Sequence, residues 1–253
     1  MGKDKLRKFK ENESFRCLIQ PSTDEVLGTD HPLKGHWGEK IFGNDRPIVV
    51  ELGCGKGEYT IDLAVRNPSC NYIGVDIKGA RLWKGAKYAE ENALPNVAFL
   101  RTRIEFIESL FAPGEISEIW ITFADPQIGR EKKRLTSPLF MRRYRNFLRK
   151  DGIVHLKTDS RYLHEYSRAM AEQNGLNILA CATDIYGADR SRLYESPMVS
   201  VCGEDAIDAL LQVQTFYESQ YLAKGIDITY LSFIADHQGD YISPEWDEDR
   251  WER

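Results

Sequence analysis

Short β-branched runs recur along this chain, each closed by a turn and followed by a helix-forming stretch. That alternation limits the folds open to it. Ile48-Val49-Val50-Glu51-Leu52 is closed by Gly53-Cys54-Gly55-Lys56-Gly57, and a helical segment then runs to the break at Asn67-Pro68. Tyr72–Val75 is a second run, ending at Asp76, and the Ala, Lys, Glu and Leu of 80–92 predict a helix. Strands are expected again at Val97–Leu100, Ile119–Phe123, Ile153–Lys157 and Ile178–Cys181. Helices are expected at Ile104–Leu110, Pro138–Arg149 and Arg161–Asn174. Such a pattern predicts an α/β fold with a mostly parallel sheet covered on both faces. Ligands of these sheets bind outside the carboxyl ends of the strands, so the residues just past each strand are the first candidates for chemistry.

The length of 253 residues suits one large domain with extensions, and 42% hydrophobic with 29% charged residues excludes a disordered or fibrous chain. No run approaches the ~18–20 apolar residues of a membrane span, so no membrane partner is expected. The first eight residues are basic but no apolar core follows them; no signal peptide and a cytoplasmic location are expected. The five cysteines are scattered without a C-x-x-C pair and the five histidines form no H-E-x-x-H, so neither a disulfide framework nor a metal site is expected. Residues 1–45 read as a partly irregular, basic extension, with Lys3, Lys5, Arg7, Lys8 and Lys10 against Asp4 in the first ten. That start suits either a solvated tail or an arm that touches a polyanion. Residues 46–235 form the expected domain, and 236–253 an acidic, aromatic tail with Trp246 and Trp251.

Gly53, Gly55 and Gly57 let the backbone turn tightly and approach a ligand closely, and they lead into a helix N-terminus. Their spacing is G-x-G-x-G, not the G-x-G-x-x-G of dinucleotide binders. Alone, such a turn suits any α/β protein. Asp76, however, lies 19 residues beyond Gly57 at the next strand end, where an acid accepts hydrogen bonds from ribose hydroxyls. Turn and acid together indicate a nucleoside-containing cofactor. With Glu51 the pattern E-x-G-x-G-x-G resembles that of S-adenosylmethionine-dependent methyltransferases. The Glu51 carboxylate would repel a pyrophosphate but suit an ammonium and a sulfonium. The fourth main strand runs into Phe123-Ala124-Asp125-Pro126-Gln127, where proline holds the preceding backbone extended. Asp125 is therefore either a loop-initiating residue or a carboxylate aimed into the ligand cleft. Arg130, Lys132, Lys133, Arg134, Arg142, Arg143, Arg145, Arg149 and Lys150 follow, with Glu131 the sole acid among them. In a chain of net charge −5 this run is either a solvated helix face or a rim for a phosphate-rich substrate, and its place after Asp125 favours the second.

Taken together, these motifs resemble the bacterial tRNA (guanine-N7)-methyltransferase family. The resemblance rests on the glycine turn, the Asp-Pro turn with Lys132-Lys133-Arg134-Leu135, His155-Leu156-Lys157-Thr158-Asp159, and Thr215-Phe216-Tyr217-Glu218 with Gly225 downstream. It spans roughly residues 47 to 234. It implies a Rossmann-like class I methyltransferase fold with a mostly parallel seven-stranded sheet. It implies methyl transfer from S-adenosyl-L-methionine to guanine N7 of tRNA, at position 46 of the variable loop. Glu51, Gly53, Gly55, Gly57, Asp76, Arg103 and Asp125 would then bind the cofactor, with Asp125 also catalytic. Gly129, Arg130, Lys132, Asp159, Thr215, Phe216, Tyr217 and Glu218 would bind the substrate. Two positions depart from the family pattern: Arg103 stands where an Asp or Asn is usual, with a backbone contact or Glu105 as the candidate replacement, and Gly129 where a substrate-contacting lysine is expected, with Arg130 or Lys132 as the candidates. A methyltransferase acting on a small molecule or protein, and a non-catalytic RNA-binding subunit, are the competing readings. The oligomeric state stays open between monomer and homodimer.

Overall fold

The computed structural model describes residues 2–248; Met1 and residues 249–253, with Trp251, lie outside the described residues. The chain divides between Ile119 and Trp120 into two compact units. The first runs through α1 (Gly2–Asn12), β1 (Leu18–Ile19), β2 (Ile48–Leu52), α2 (Glu58–Arg66), β3 (Asn71–Asp76), α3 (Gly79–Glu91) and β4 (Val97–Arg101) into β5 (Ile116–Thr122), which carries the chain across the division. Every residue of β2 and β3 is buried, which is why they read as continuous apolar runs rather than alternating ones. β2 pairs with β3, β3 with β4 and β4 with β1, all parallel, and Glu51 lies opposite Gly74 while Asp76 lies opposite Arg101.

Phe99, fully buried on β4, explains three glycines. A Cβ at Gly74 would come within 2.8 Å of its ring and one at Gly85 within 2.6 Å; one at Gly57 would overlap it outright. Gly57 also has φ 73°, so the last glycine of the turn is demanded by backbone and packing alike. The N-terminal extension differs from expectation in being helical at its start. α1 lies on α3: Trp83 Nε1 donates to Glu11 Oε2 at 2.6 Å, and Asn12 Nδ2 to the Gly79 carbonyl at 2.9 Å. Arg7, Lys8 and Lys87 surround the Trp83 ring at 5.0, 4.9 and 5.1 Å. Those cations gain a ring and nearby carboxylates. That tertiary docking favours a helix whose own apolar periodicity is weak.

The second unit holds α4 (Pro138–Arg145), β6 (Leu148–Thr158), α5 (Arg161–Gln173), β7 (Asn177–Ala182), the short helices α6 (Arg190–Tyr194), α7 (Pro197–Cys202) and α8 (Glu204–Gln212), then α9 (Phe216–Leu222) and β8 (Thr229–Ile234). β8 runs antiparallel to both β6 and β7, with Val154 opposite Phe233 and Cys181 opposite Leu231. Eight strands are present among the described residues, one more than the seven expected, and β1 has only two residues. The expected helix Pro138–Arg149 stops at Arg145, because Phe147 and Leu148 turn inward and β6 begins.

Candidate active site

In the first unit the carboxyl ends of β2 and β3 bring together the expected acidic residues. Glu51 is 4% exposed and accepts a short hydrogen bond from Thr60 Oγ1, one turn into α2. Asp76 is 8% exposed and stitches two turns: Oδ2 accepts from Gly55 N at 3.0 Å and Oδ1 from Lys78 N at 2.7 Å. A carboxylate has about four acceptor positions, so two remain for a ligand. Gly53 and Cys54 donate to the Val75 carbonyl at 2.8 and 3.0 Å, tying the glycine turn to β3. Gly53 and Gly55 have φ 80° and 59°, and a Cβ at either would meet nothing within 4 Å. The turn is thus open where a ligand must approach, unlike at Gly57. Burial pushes the Cys54 thiol well up, with the negative Glu51 and Asp76 adding to it. That is the field a cationic, nucleoside-bearing cofactor would relieve.

Ile77, passed over in the sequence, is 53% exposed directly after Asp76. Its only signal was an apolar residue one step past a strand-end acid. Arg103 caps the short helical turn after β4, its guanidinium 3.6 Å from Glu105 and over the Phe106 ring. The two residues considered as alternatives therefore engage each other.

In the second unit Asp125 is exposed, on a loop whose neighbours are unusual: Phe123 and Gln127 hold φ 49° and 51° without being glycine. Such conformations persist only where surroundings over-determine them, and they cluster at functional sites. Gln127 N donates to Asp125 Oδ1 at 2.9 Å, fixing the carboxylate's direction. Asp159, half-buried after β6, has its pKa raised by burial. Tyr221 feels the charge of Asp159 and stacks on Phe123, with ring centroids 6.1 Å apart.

The Thr215–Glu218 motif opens α9 as a capping box: Thr215 Oγ1 accepts from Glu218 N at 3.2 Å, and Thr215 N donates to Glu218 Oε2 at 3.3 Å. Glu218 itself is wholly buried. Its Oε1 accepts from Tyr186 OH at 2.6 Å and lies 2.7 Å from Lys157 Nζ, equally buried. Lys157 also donates to the Leu210 and Val213 carbonyls at 2.8 and 2.9 Å. Burial lowers the Lys157 pKa while the Glu218 carboxylate holds it up. With these inward residues as its base, the turn presents Phe216 and Tyr217, 52% and 45% exposed. Sequence reading missed Lys157 and Tyr186 as partners because nothing local signals an ion pair across 61 residues.

The basic run does not act as one face. Arg130, Lys132 and Lys133 are exposed, but Arg134 is wholly buried, and Arg145 reaches the Gly239 carbonyl. Gly129, with φ 69°, donates its N–H to Glu248 Oε2 at 2.7 Å. Among the described residues no helix is long and apolar enough to cross a membrane.

Residues 45–191 match the family model described as "Putative methyltransferase". The 16S rRNA methyltransferase KamB superposes with TM-score 0.56 at 16% identity, over 78% of this chain and 92% of that one. An antibiotic-related methyltransferase gives 0.55 at 18%, over 88% and 98%. The fold is therefore that of a Rossmann-like class I methyltransferase. The tRNA (guanine-N(7)-)-methyltransferase of Christiangramia forsetii is 53% identical over 92% of this chain and 98% of its own length. That of Bacteroides fragilis is 43% identical over 97% and 91%. The chain belongs to the tRNA (guanine-N7)-methyltransferase family.

Proposed function

We propose that this protein transfers a methyl group from S-adenosyl-L-methionine to N7 of a guanine in tRNA, at position 46 of the variable loop, in the cytoplasm. The observation that carries the reading is kinship over nearly the whole chain with relatives of that description. The open glycine turn with two buried acids fits the cofactor it requires. When bound, the cofactor supplies an electrophilic methyl on a positively charged sulfur.

The negative charge of Glu51 would attract the cofactor's ammonium, and Asp76 would accept from the ribose hydroxyls at its remaining acceptor positions. Gly53 and Gly55 allow the backbone to approach, and Ile77 offers an apolar contact. Guanine N7 carries a lone pair and no proton, so no general base is needed, and alignment is the protein's main contribution. Asp125, held by its own loop, stabilises the positive charge that moves onto the guanine during transfer. Asp159 accepts from the guanine N1–H and N2–H₂ edge, donors that adenine lacks in that arrangement. Phe216 and Tyr217 offer faces on which an unstacked base can lie, while Thr215 and Glu218 hold that turn in shape. Glu218, expected to bind the substrate, supports the turn instead, since its carboxylate is already engaged by buried donors. Arg130 and Lys132 contribute phosphate contacts, and Gly129 lets the loop turn between them and Asp125.

Mass-spectrometric nucleoside analysis of tRNA incubated with protein and cofactor should show 7-methylguanosine. Asp125→Ala should abolish its formation while leaving tRNA retention on a filter intact. Turnover near the parental rate in that variant would remove Asp125 from the mechanism.

A further inference from the structure

The loop that carries Asp125 is held from behind by the C-terminal segment. Arg134 is wholly buried, and its Nε donates to the Pro126 carbonyl at 2.9 Å and its Nη2 to the Gln127 carbonyl at 3.1 Å. The same Nη2 reaches Glu248 Oε1 at 3.0 Å, and the guanidinium stacks 3.9 Å from the Tyr166 ring centre. Tyr162 accepts from Arg134 and donates to Glu248 Oε1 at 2.7 Å. The other oxygen of Glu248 accepts from Gly129 N. One carboxylate therefore closes a ring through residues 126, 127, 129, 134 and 162.

The segment that delivers Glu248 is itself anchored. Asn174 exchanges two hydrogen bonds with the Ile242 backbone, at 2.8 and 2.9 Å. Ser243 Oγ donates to Glu131 Oε2 at 3.1 Å. Trp246 packs edge-on against Tyr162 and Tyr166, with centroids 5.7 and 5.5 Å away. Burial alone would raise the Glu248 pKa, but the bonds from Tyr162, Arg134 and Gly129 outweigh it and keep the carboxylate ionised. A loop with two non-glycine residues at positive φ needs such outside support.

We propose that residues 241–248 form a strap that positions the Asp125-Pro126-Gln127 loop for methyl transfer, with Glu248 as the positioning residue and Arg134 as its link to the loop backbone. The inference rests on reading Asp125 as the catalytic carboxylate. Glu248 acts through the loop; nothing in its role requires it to touch substrate. Misplacing a reacting group by about 1 Å can cost about 100-fold in rate, which sets the scale of the effect.

The test uses the full chain with Glu248→Ala and, as a milder change, Glu248→Gln. The amide keeps one acceptor, so it can satisfy Arg134 and Tyr162 or Gly129 but not both. At saturating tRNA and a temperature well below unfolding, kcat should fall about 100-fold in the alanine variant and about 10-fold in the glutamine variant. The cofactor Kd by calorimetry should change much less than kcat, since the glycine turn, Glu51 and Asp76 are untouched. Hydrogen exchange of amides 127–131 should speed up about 10-fold or more, with α5 unchanged. Faster exchange with parental kcat would overturn the proposal, because the strap would then hold a loop that transfer does not need held. Unchanged exchange would overturn it too. Asp125→Ala is measured beside them: if it turns over normally, the catalytic reading fails and this inference with it. If it is inactive while Glu248→Ala has parental kcat, this inference alone fails.

Discussion

Replacing Glu218 by glutamine should destabilise the protein by an amount that depends steeply on pH. The side chain keeps its volume and one acceptor, enough for a capping box. What it loses is the charge 2.7 Å from Lys157 Nζ, where both groups are wholly buried. Breaking a buried pair by removing one partner costs about 3–5 kcal/mol, because the other charge stays behind. An independent bound comes from the lysine itself, which can shed its proton. From an unfolded value near 10.4, at about 1.36 kcal/mol per pH unit, neutralising it costs at most about 4.6 kcal/mol at pH 7 and about 1.2 kcal/mol at pH 9.5. Without Glu218 the folded Lys157 pKa falls further below the unfolded value than it does in the parent, so the folded variant sheds the proton more readily and gains more stability than the parent as pH rises. Urea unfolding of parent and variant at both pH values, followed by far-UV circular dichroism, measures the difference. A deficit of about 3–5 kcal/mol at pH 7 that shrinks to about 1 kcal/mol at pH 9.5 is expected. A deficit equal at the two pH values, or below about 1 kcal/mol at pH 7, would refute the account of Lys157 as a buried cation whose charge Glu218 balances.

Two further outcomes separate packing from ligand binding and test a buried histidine. Gly57→Ala meets the Phe99 ring as well as an unfavourable φ, so it should destabilise by about 3 kcal/mol or more, whereas Gly53→Ala, in open space, should cost about 1–2 kcal/mol yet weaken cofactor binding at least 10-fold by calorimetry. Equal stability losses in the two would contradict the assignment. His164, wholly buried with Nε2 3.6 Å from Cys181 Sγ, has its pKa pulled down to about 4 by burial. Because the unfolded chain then takes up the proton first, stability should drop by about 1.5 kcal/mol between pH 6.5 and 5, and His164→Phe should remove that slope. A variant with the parental slope would locate the effect elsewhere.

The features legible in the sequence were those written in neighbouring residues. The β-branched runs at 48–52, 72–75 and 97–100 and the helical patterns at 80–92 and 161–174 fall within a residue of β2, β3, β4, α3 and α5. The glycine turn and the acids after β2 and β3 were legible for the same reason: strand ends and positive φ are local demands. β8 gave no such warning, since Thr229–Ile234 mixes polar and apolar residues and owes its burial to β6 and β7.

Which charges face inward was not legible at all. Arg134 and Glu218 read as members of an exposed basic rim and of a substrate-binding turn, yet both are wholly buried. Their partners are distant in the chain: Arg134 meets Tyr162 and Glu248, and Glu218 meets Lys157 and Tyr186. A charge can leave water only where opposite charge and hydrogen-bonding groups converge on it. Periodicity and turn chemistry thus sufficed to announce a strand–helix fold with acids at its strand tips. Only folding decided which ionisable groups would support the loops from inside and which would be left to meet a ligand, because that choice depends on neighbours that the chain assembles from far apart.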